Sequence, residues 1–211
     1  MGHKLALIRP NHHKEDIPLN KNITLGERAE FYNQTFPKFA KQAWLTASDR
    51  WLWGTFSIGN NYQGSGYYGS YPPNYLKRIL SLFPDAENIL HLFSGSLTEV
   101  EGEKFDINPE LSPDICGDAH NLSKIVSKKY DLILADPPYS EEDAKHYGTP
   151  MINRNKVIKE CSKITEEGGF ILWLDQVLPM YRKTELHRCI SIAIERSTNH
   201  RFRIVTGFMK L

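Results

Sequence analysis

Tyr130-Asp131-Leu132-Ile133-Leu134-Ala135-Asp136-Pro137-Pro138-Tyr139 is the stretch on which the fold turns. From Leu132 to Ala135 it is a short apolar run, which is how a strand buried on both faces of a parallel sheet reads. Its carboxyl end delivers a carboxylate, two rigid prolines and an aromatic ring. In open α/β sheets ligands bind outside that end of the strands. The prolines fix their own φ angles, so the neighbouring carbonyls point in set directions and cannot be drawn into a helix. A loop of this kind can grip a planar group that carries an amine. Asp136 and a carbonyl of the proline region accept N–H bonds, and Tyr139 stacks on the face.

Upstream and downstream the chain alternates. Short apolar runs predict strands at 89–93, 104–107, 114–116, 131–135, 170–174, 190–194 and 201–210, the last two as a hairpin pair. Helical spacing predicts helices at 74–83, opened by Pro72-Pro73, at 119–127 and at 151–164. Strands that alternate with helices imply a doubly wound, Rossmann-like α/β sheet, here of seven strands. Gly95, Asp106, Asp118 and Asp136 then stand at the carboxyl ends of consecutive strands, which a right-handed winding brings into one crevice. A glycine after the first strand, in His91-Leu92-Phe93-Ser94-Gly95-Ser96, lets backbone approach a ligand closely. Asp106, followed by Ile107, can accept both hydroxyls of a ribose. As an isolated residue, Asp118 in Gly117-Asp118-Ala119 is more often a helix cap, and both roles are compatible.

The first crossovers are short. Ten residues separate Gly95 from Asp106 and seven separate Asp106 from Asp114, too few for crossover helices, which need about 10–12 residues. Because a parallel sheet is covered on both faces, residues 24–60, or a partner subunit or second copy, are expected to cover the helix-poor half. Thr24 with Glu27 starts a helix expected over 24–48. Residues 51–71 interleave Trp51, Trp53, Phe56, Tyr62, Tyr67, Tyr68 and Tyr71 with five glycines, which reads as strand and turn. Trp51, Trp53 and Phe56 are expected in the core. Tyr67 and Tyr68, where the backbone is free to bend, are expected to form a lip over a substrate. Residues 1–70 are taken as an arm and aromatic extension packed on a domain of residues 71–211.

A net charge of +1 means that any basic surface for nucleic acid is local. Three scattered cysteines, Cys116, Cys161 and Cys189, suggest buried thiols with neither a disulfide frame nor a metal site. No membrane span and no signal peptide are expected, and the composition suits a cytoplasmic protein.

Asp136-Pro137-Pro138-Tyr139 resembles the signature of the S-adenosylmethionine-dependent amino-methyltransferases, which methylate exocyclic amines of nucleobases. The resemblance extends over roughly residues 71–175 and the closing strands. It implies S-adenosylmethionine as cofactor, held by Tyr71 and Pro72 at its methionine end, by the loop Phe93, Ser94, Gly95 and Ser96, by Asp106 and Ile107 at the ribose, by Asp118 and Ala119 at the adenine, and by Asp136. Where the family usually has a second glycine in the cofactor loop, this chain has Ser96. Asp136, Pro137, Pro138 and Tyr139 are the implied catalytic residues. Tyr67, Tyr68, Tyr139 and Ser140 are the expected substrate contacts. Adenine in DNA is the implied acceptor, since related cytosine enzymes often have Ser in place of Asp136. A base within a duplex would be flipped out to reach the loop. The alternatives are an RNA base methyltransferase and a non-catalytic nucleic-acid-binding partner of a methyltransferase.

Overall fold

The computed structural model describes residues 23–37, 46–48, 50–58, 71–72, 74–98, 100–196 and 202–211. The strands are β1 (Thr46–Ser48), β2 (Trp51–Ile58), β3 (Ile89–Leu92), β4 (Glu103–Asp106), β5 (Ile115–Cys116), β6 (Tyr130–Ala135), β7 (Thr165–Asp175), β8 (Leu186–Arg196) and β9 (Phe202–Lys210). The helices are α1 (Leu25–Thr35), α2 (Tyr75–Leu80), α3 (Leu122–Ile125), α4 (Glu141–His146) and α5 (Arg154–Ile164). One sheet takes all nine strands in the order β1-β2-β8-β9-β7-β6-β3-β4-β5. Its winding reverses between β3 and β6, the switch point at which such sheets open a crevice.

The seven expected strands are all present, and β8 and β9 pair as an antiparallel hairpin. The sheet nevertheless has nine strands, because β2 adds in parallel to β8 and β1 pairs antiparallel with β2. Isolated from the rest of the chain, the glycine-punctuated 51–71 segment does not say which strand its first half will join. Gly207 explains how closely β8 and β9 approach, since a Cβ there would lie 2.5 Å from Ile190 Cβ.

The sheet separates two apolar layers, because successive residues of a strand face opposite ways. One layer joins α1 and α2 to Leu52, Phe56, Ile89, Leu132, Leu134, Leu172, Ile190 and Ile192. The other joins α3 and α5 to Leu90, Leu92, Phe105, Ile133, Ile171, Trp173 and Phe208. Helix α1 has the expected capping box, with Glu27 N donating to Thr24 Oγ1 at 3.2 Å and Thr24 N donating to Glu27 Oε2 at 2.8 Å. It ends at Thr35 rather than 48, because Pro37 forces Phe36 out of helical geometry (ψ +61°). Buried Arg28 ties α1 to the turn before β3 through a two-pronged pair with Asp85, at 2.7 and 2.9 Å, and lies over the rings of Phe83 and Phe170. Ser140 caps α4, a helix not expected from the sequence although three acids occupy its first turn.

Among the described residues the β3→β4 and β4→β5 connections carry only the 3-10 turn Pro109–Leu111, as the spacing required. Residues of α1 and β2 cover the same face, but over β8 and β7. Over β4 and β5 that face carries Lys104, Asp106 and Cys116, of which Asp106 is buried and Cys116 exposed. Trp51 and Trp53 correct a second expectation. Leu52 and Phe56 point into the first layer and are fully buried, so period-two alternation turns Trp51 and Trp53 outward, 38% and 50% exposed. Cys116 is exposed, whereas Cys161 and Cys189 are buried as expected. The expected lip residues Tyr67 and Tyr68, together with Tyr62, lie outside the described residues, as do residues 1–22 and Pro73. No helix among the described residues is long and apolar enough to cross a membrane.

Candidate active site

The loop after β6 begins where Asp136 N donates to Leu92 O at 3.4 Å, which fixes it beside the end of β3. Tyr139 donates its hydroxyl hydrogen to Asp136 Oδ1. Tyr71 donates to Leu134 O at 3.2 Å and stacks on Tyr75 with centroids 5.2 Å apart. Three tyrosines, Tyr71, Tyr75 and Tyr139, therefore share the field of Asp136. Burial first, and then that carboxylate's charge, hold the Tyr75 and Tyr139 hydroxyls well above the usual phenol range. Burial likewise pushes Asp136 up to about 7, helped by nearby Asp175 and opposed by the Tyr139 hydrogen bond and by Arg203.

Two arginines brace the loop from opposite faces of the sheet. Arg154, at the start of α5, donates from Nε to Asp175 Oδ2 at 2.7 Å and from Nη2 to Tyr139 O at 2.9 Å and Pro138 O at 3.5 Å. From β9, Arg203 lies over the Tyr139 ring, 4.2 Å from its centroid. Arg154 thus takes two loop carbonyls, those of Pro138 and Tyr139. The sequence reading singled out neither arginine. Arg154 carried a faint signal, a cation in a helix's first turn where the dipole disfavours it. Arg203 carried none, since its role depends on β9 lying beside β7.

The loop after β3 is built by strain and by Asp106. Phe93 has φ +62° and Gly95 φ +55°. For a bulky residue such as Phe93 this left-handed geometry costs about 1–3 kcal/mol and persists only where its surroundings impose it. Gly95 N donates to Asp106 Oδ2 at 2.9 Å and Asn108 N to Oδ1 at 3.0 Å, so the carboxylate clamps the loop. Each of its oxygens keeps a second lone pair. Ser94 is buried, and its Oγ has no partner among the described residues; the same holds for Tyr75 Oη and for His91 Nδ1.

Asp118 caps the turn that holds buried Ala119, accepting on Oδ1 from His120 N at 2.9 Å and pairing with His120 Nδ1 at 2.7 Å. His120 Nε2 in turn accepts from Asn153 N at 2.8 Å, so the ring proton sits on Nδ1 and the loop after β5 is tied to the cap of α5. Asp118 Oδ2 takes part in neither bond. Ile107 is 43% exposed, its carbonyl accepting from Cys116 Sγ, while Pro72 turns the chain into α2. Ser96 lies in the turn closed by Leu97 N on Ser94 O. Ser140, an expected substrate contact, uses its hydroxyl on Asp143 N at 3.1 Å. No group of three or more His, Cys, Asp or Glu among the described residues is placed to hold a metal ion.

No family model and no curated protein matches the chain. Among solved structures, TrmN from Thermus thermophilus aligns with a TM-score of 0.50 and 17% identity over 68% of this chain and 50% of that one. The chain thus spans half the length of that protein. An rRNA methylase from Streptococcus thermophilus aligns more loosely, at a TM-score of 0.39 with 9% identity over 59% and 87% of the two chains. The N-methyltransferase NodS from Bradyrhizobium japonicum WM9 does likewise, at 0.40 with 13% identity over 59% and 86%. The mixed sheet, its switch point and the likeness to TrmN give this chain a Rossmann-like α/β fold of the kind TrmN has.

Proposed function

We propose that the protein transfers a methyl group from S-adenosylmethionine to the exocyclic amine of a nucleobase, adenine in DNA. The observation that carries this reading is the Asp136 loop. It presents a half-buried carboxylate bonded by the Tyr139 hydroxyl, with the Tyr139 ring beside it and two arginines bracing the loop.

The crevice fits the cofactor. Ser94 Oγ and Tyr75 Oη are buried polar atoms without partners among the described residues, and such atoms are normally paired. Asp106 and Asp118 retain free lone pairs for hydroxyl and amine donors, and the strained Phe93–Gly95 turn brings backbone close. Tyr71, Pro72, Phe93, Ser94, Gly95, Ser96, Asp106, Ile107, Asp118 and Ala119 would hold it. When bound, it supplies a methyl group on a positively charged sulfur.

The chain's own contribution is positioning and electrostatics. The lone pair of an aromatic amine is delocalised into its ring. Accepting its two N–H bonds on Asp136 and the Pro137 carbonyl favours a tetrahedral nitrogen with its lone pair available, and ionised Asp136 stabilises the positive charge that develops there. Tyr139 holds Asp136 Oδ1 and offers a stacking surface, one face of which Arg203 occupies. A planar base uses the other face or displaces the guanidinium.

The test is transfer of labelled methyl from S-adenosylmethionine to DNA and RNA, single-stranded and duplex, with digestion to nucleosides. Labelled N6-methyladenine in DNA is expected. Label in RNA alone transfers the reading to RNA bases, and label in neither rejects it.

A further inference from the structure

Among the described residues no helix lies on the α3 and α5 face of the sheet over β2, β8 and β9. The connection from β7 to β8 has no helix. Residues 176–185 run instead as a strap beside α5, with Tyr181 packed edge-on against Phe208 at 4.8 Å. Beyond the strap the outward residues of three adjacent strands form a stripe: Trp51 and Trp53 on β2, then Ile204 and Phe202 on β9, 42% and 54% exposed. From Arg188 to Glu195 along β8 it spans roughly 23 Å at about 3.3 Å per residue. Its upper end adjoins Asp175, which pairs with Ile204 and binds Arg154, the brace of the Asp136 loop.

At its lower end lies a groove of about 390 Å³ lined by Trp51, Tyr181, Lys183, Leu186, His187 and Arg188. Two aromatic rings and three basic side chains line it, with no carboxylate. The Arg188 guanidinium lies over the Trp51 ring, 5.3 Å from its centroid, and its Nε is buried without a partner. Glu195, at the upper end, is the one acid on the stripe and accepts from Ser57 Oγ at 3.2 Å.

We infer that this face docks single-stranded DNA, its unpaired bases stacking on Trp51, Trp53 and Phe202 and its phosphates meeting Lys183 and Arg188. Exposed rings spaced along an open sheet with cations at one end match a strand that offers both π faces and anionic phosphates. A closed duplex offers no base faces to such a surface. The inference rests on the proposed DNA methylation for its choice of DNA, and it explains how a chain of near-zero net charge holds its substrate.

The test uses fluorescein-labelled dT15, which has no exocyclic amine, so its binding reads out separately from methyl transfer. By fluorescence anisotropy the full chain should bind dT15 and prefer it to the dT15·dA15 duplex. Trp53→Ala and Phe202→Ala should each weaken binding about 10-fold, within the range of one lost stacking contact. Lys183→Ala, on an exposed side chain, should flatten the salt dependence and guards against misfolding of the aromatic variants. Absence of dT15 binding, or unchanged binding in all three variants, would overturn the inference. So would equal loss on duplex and single strand, a preference for rU15 above tenfold, or a dimer in sedimentation that Trp53→Ala dissociates.

Discussion

Asp136 is a carboxylate that burial pushes up to about 7 against the pull of Tyr139 and Arg203, and that tension gives two measurable consequences. Its folded pKa, about 7, lies above the ordinary 3.8, so the folded state binds the proton more tightly than the unfolded chain. The stability this supplies is fully present below pH of about 4 and is lost as pH rises through about 7. Asn at this position never ionises. Asp136→Asn should therefore melt above the wild type by a margin that grows between about pH 4 and 7, reaching of order 2–4 kcal/mol. Thermal melts across that range measure it; a constant margin rejects the shifted carboxylate. The same variant should lose methyl transfer by at least about 100-fold, because an amide does not stabilise the developing cation. Wild-type kcat/KM should climb with pH on an acid limb near 7. Asp106→Ala carries a different expectation from a pure ligand contact. Removing the clamp on Gly95 and Asn108 strands two backbone donors, so it should destabilise the fold by about 1–3 kcal/mol as well as weaken S-adenosylhomocysteine binding in calorimetry. Weakened binding with no loss of stability would mean the clamp is dispensable.

Strand β2 shows how an element's partners assign roles that its composition leaves open. Its eight residues hold three large aromatics. Pairing with β8 sends Phe56 against Tyr32, stacked at 5.0 Å, and under Arg78, while Trp53 faces outward. Phe56→Ala should cost about 3–5 kcal/mol, and Trp53→Ala should change stability by less than about 1 kcal/mol. Chemical denaturation of both variants checks the orientation; equal losses would mean the strand is turned or shifted by one residue. The Thr24–Glu27 capping box was legible because its partners are three residues apart, and the helix stop at Pro37 equally so. Helix α4 has a local signal too, Ser140 followed by three acids, but its six residues are too few to show an apolar period.

The whole molecule is one sheet to which residues before 71 contribute strands and core. Leu25, Ala29, Tyr32, Leu52, Phe56 and Ile58 are buried in the same layer as Ile89, Leu134 and Ile190. Although residues 71–211 hold the proposed cofactor and catalytic positions, we expect that segment alone not to fold, since removing α1 and β2 bares Ile190, Ile192 and Ile194 and leaves Asp85 without Arg28. Circular dichroism and proton-resonance dispersion of residues 71–211 would show it; a cooperative native melt would show that the extension is accessory.

Read alone, the sequence determined what local chemistry decides. It marked seven strands by their short apolar runs, the missing first crossovers by residue count, the α1 cap by spacing, and an Asp-Pro-Pro-Tyr loop at a strand's carboxyl end. Tertiary structure decided what depends on neighbours distant along the chain. It chose which face Trp51 and Trp53 present, because that is fixed by the register of β2 on β8. It brought Arg154 and Arg203 to the Asp136 loop from 18 and 67 positions beyond Asp136. It also moved the carboxylate's pKa, because burial comes from the packed surroundings and not from the residue's own type.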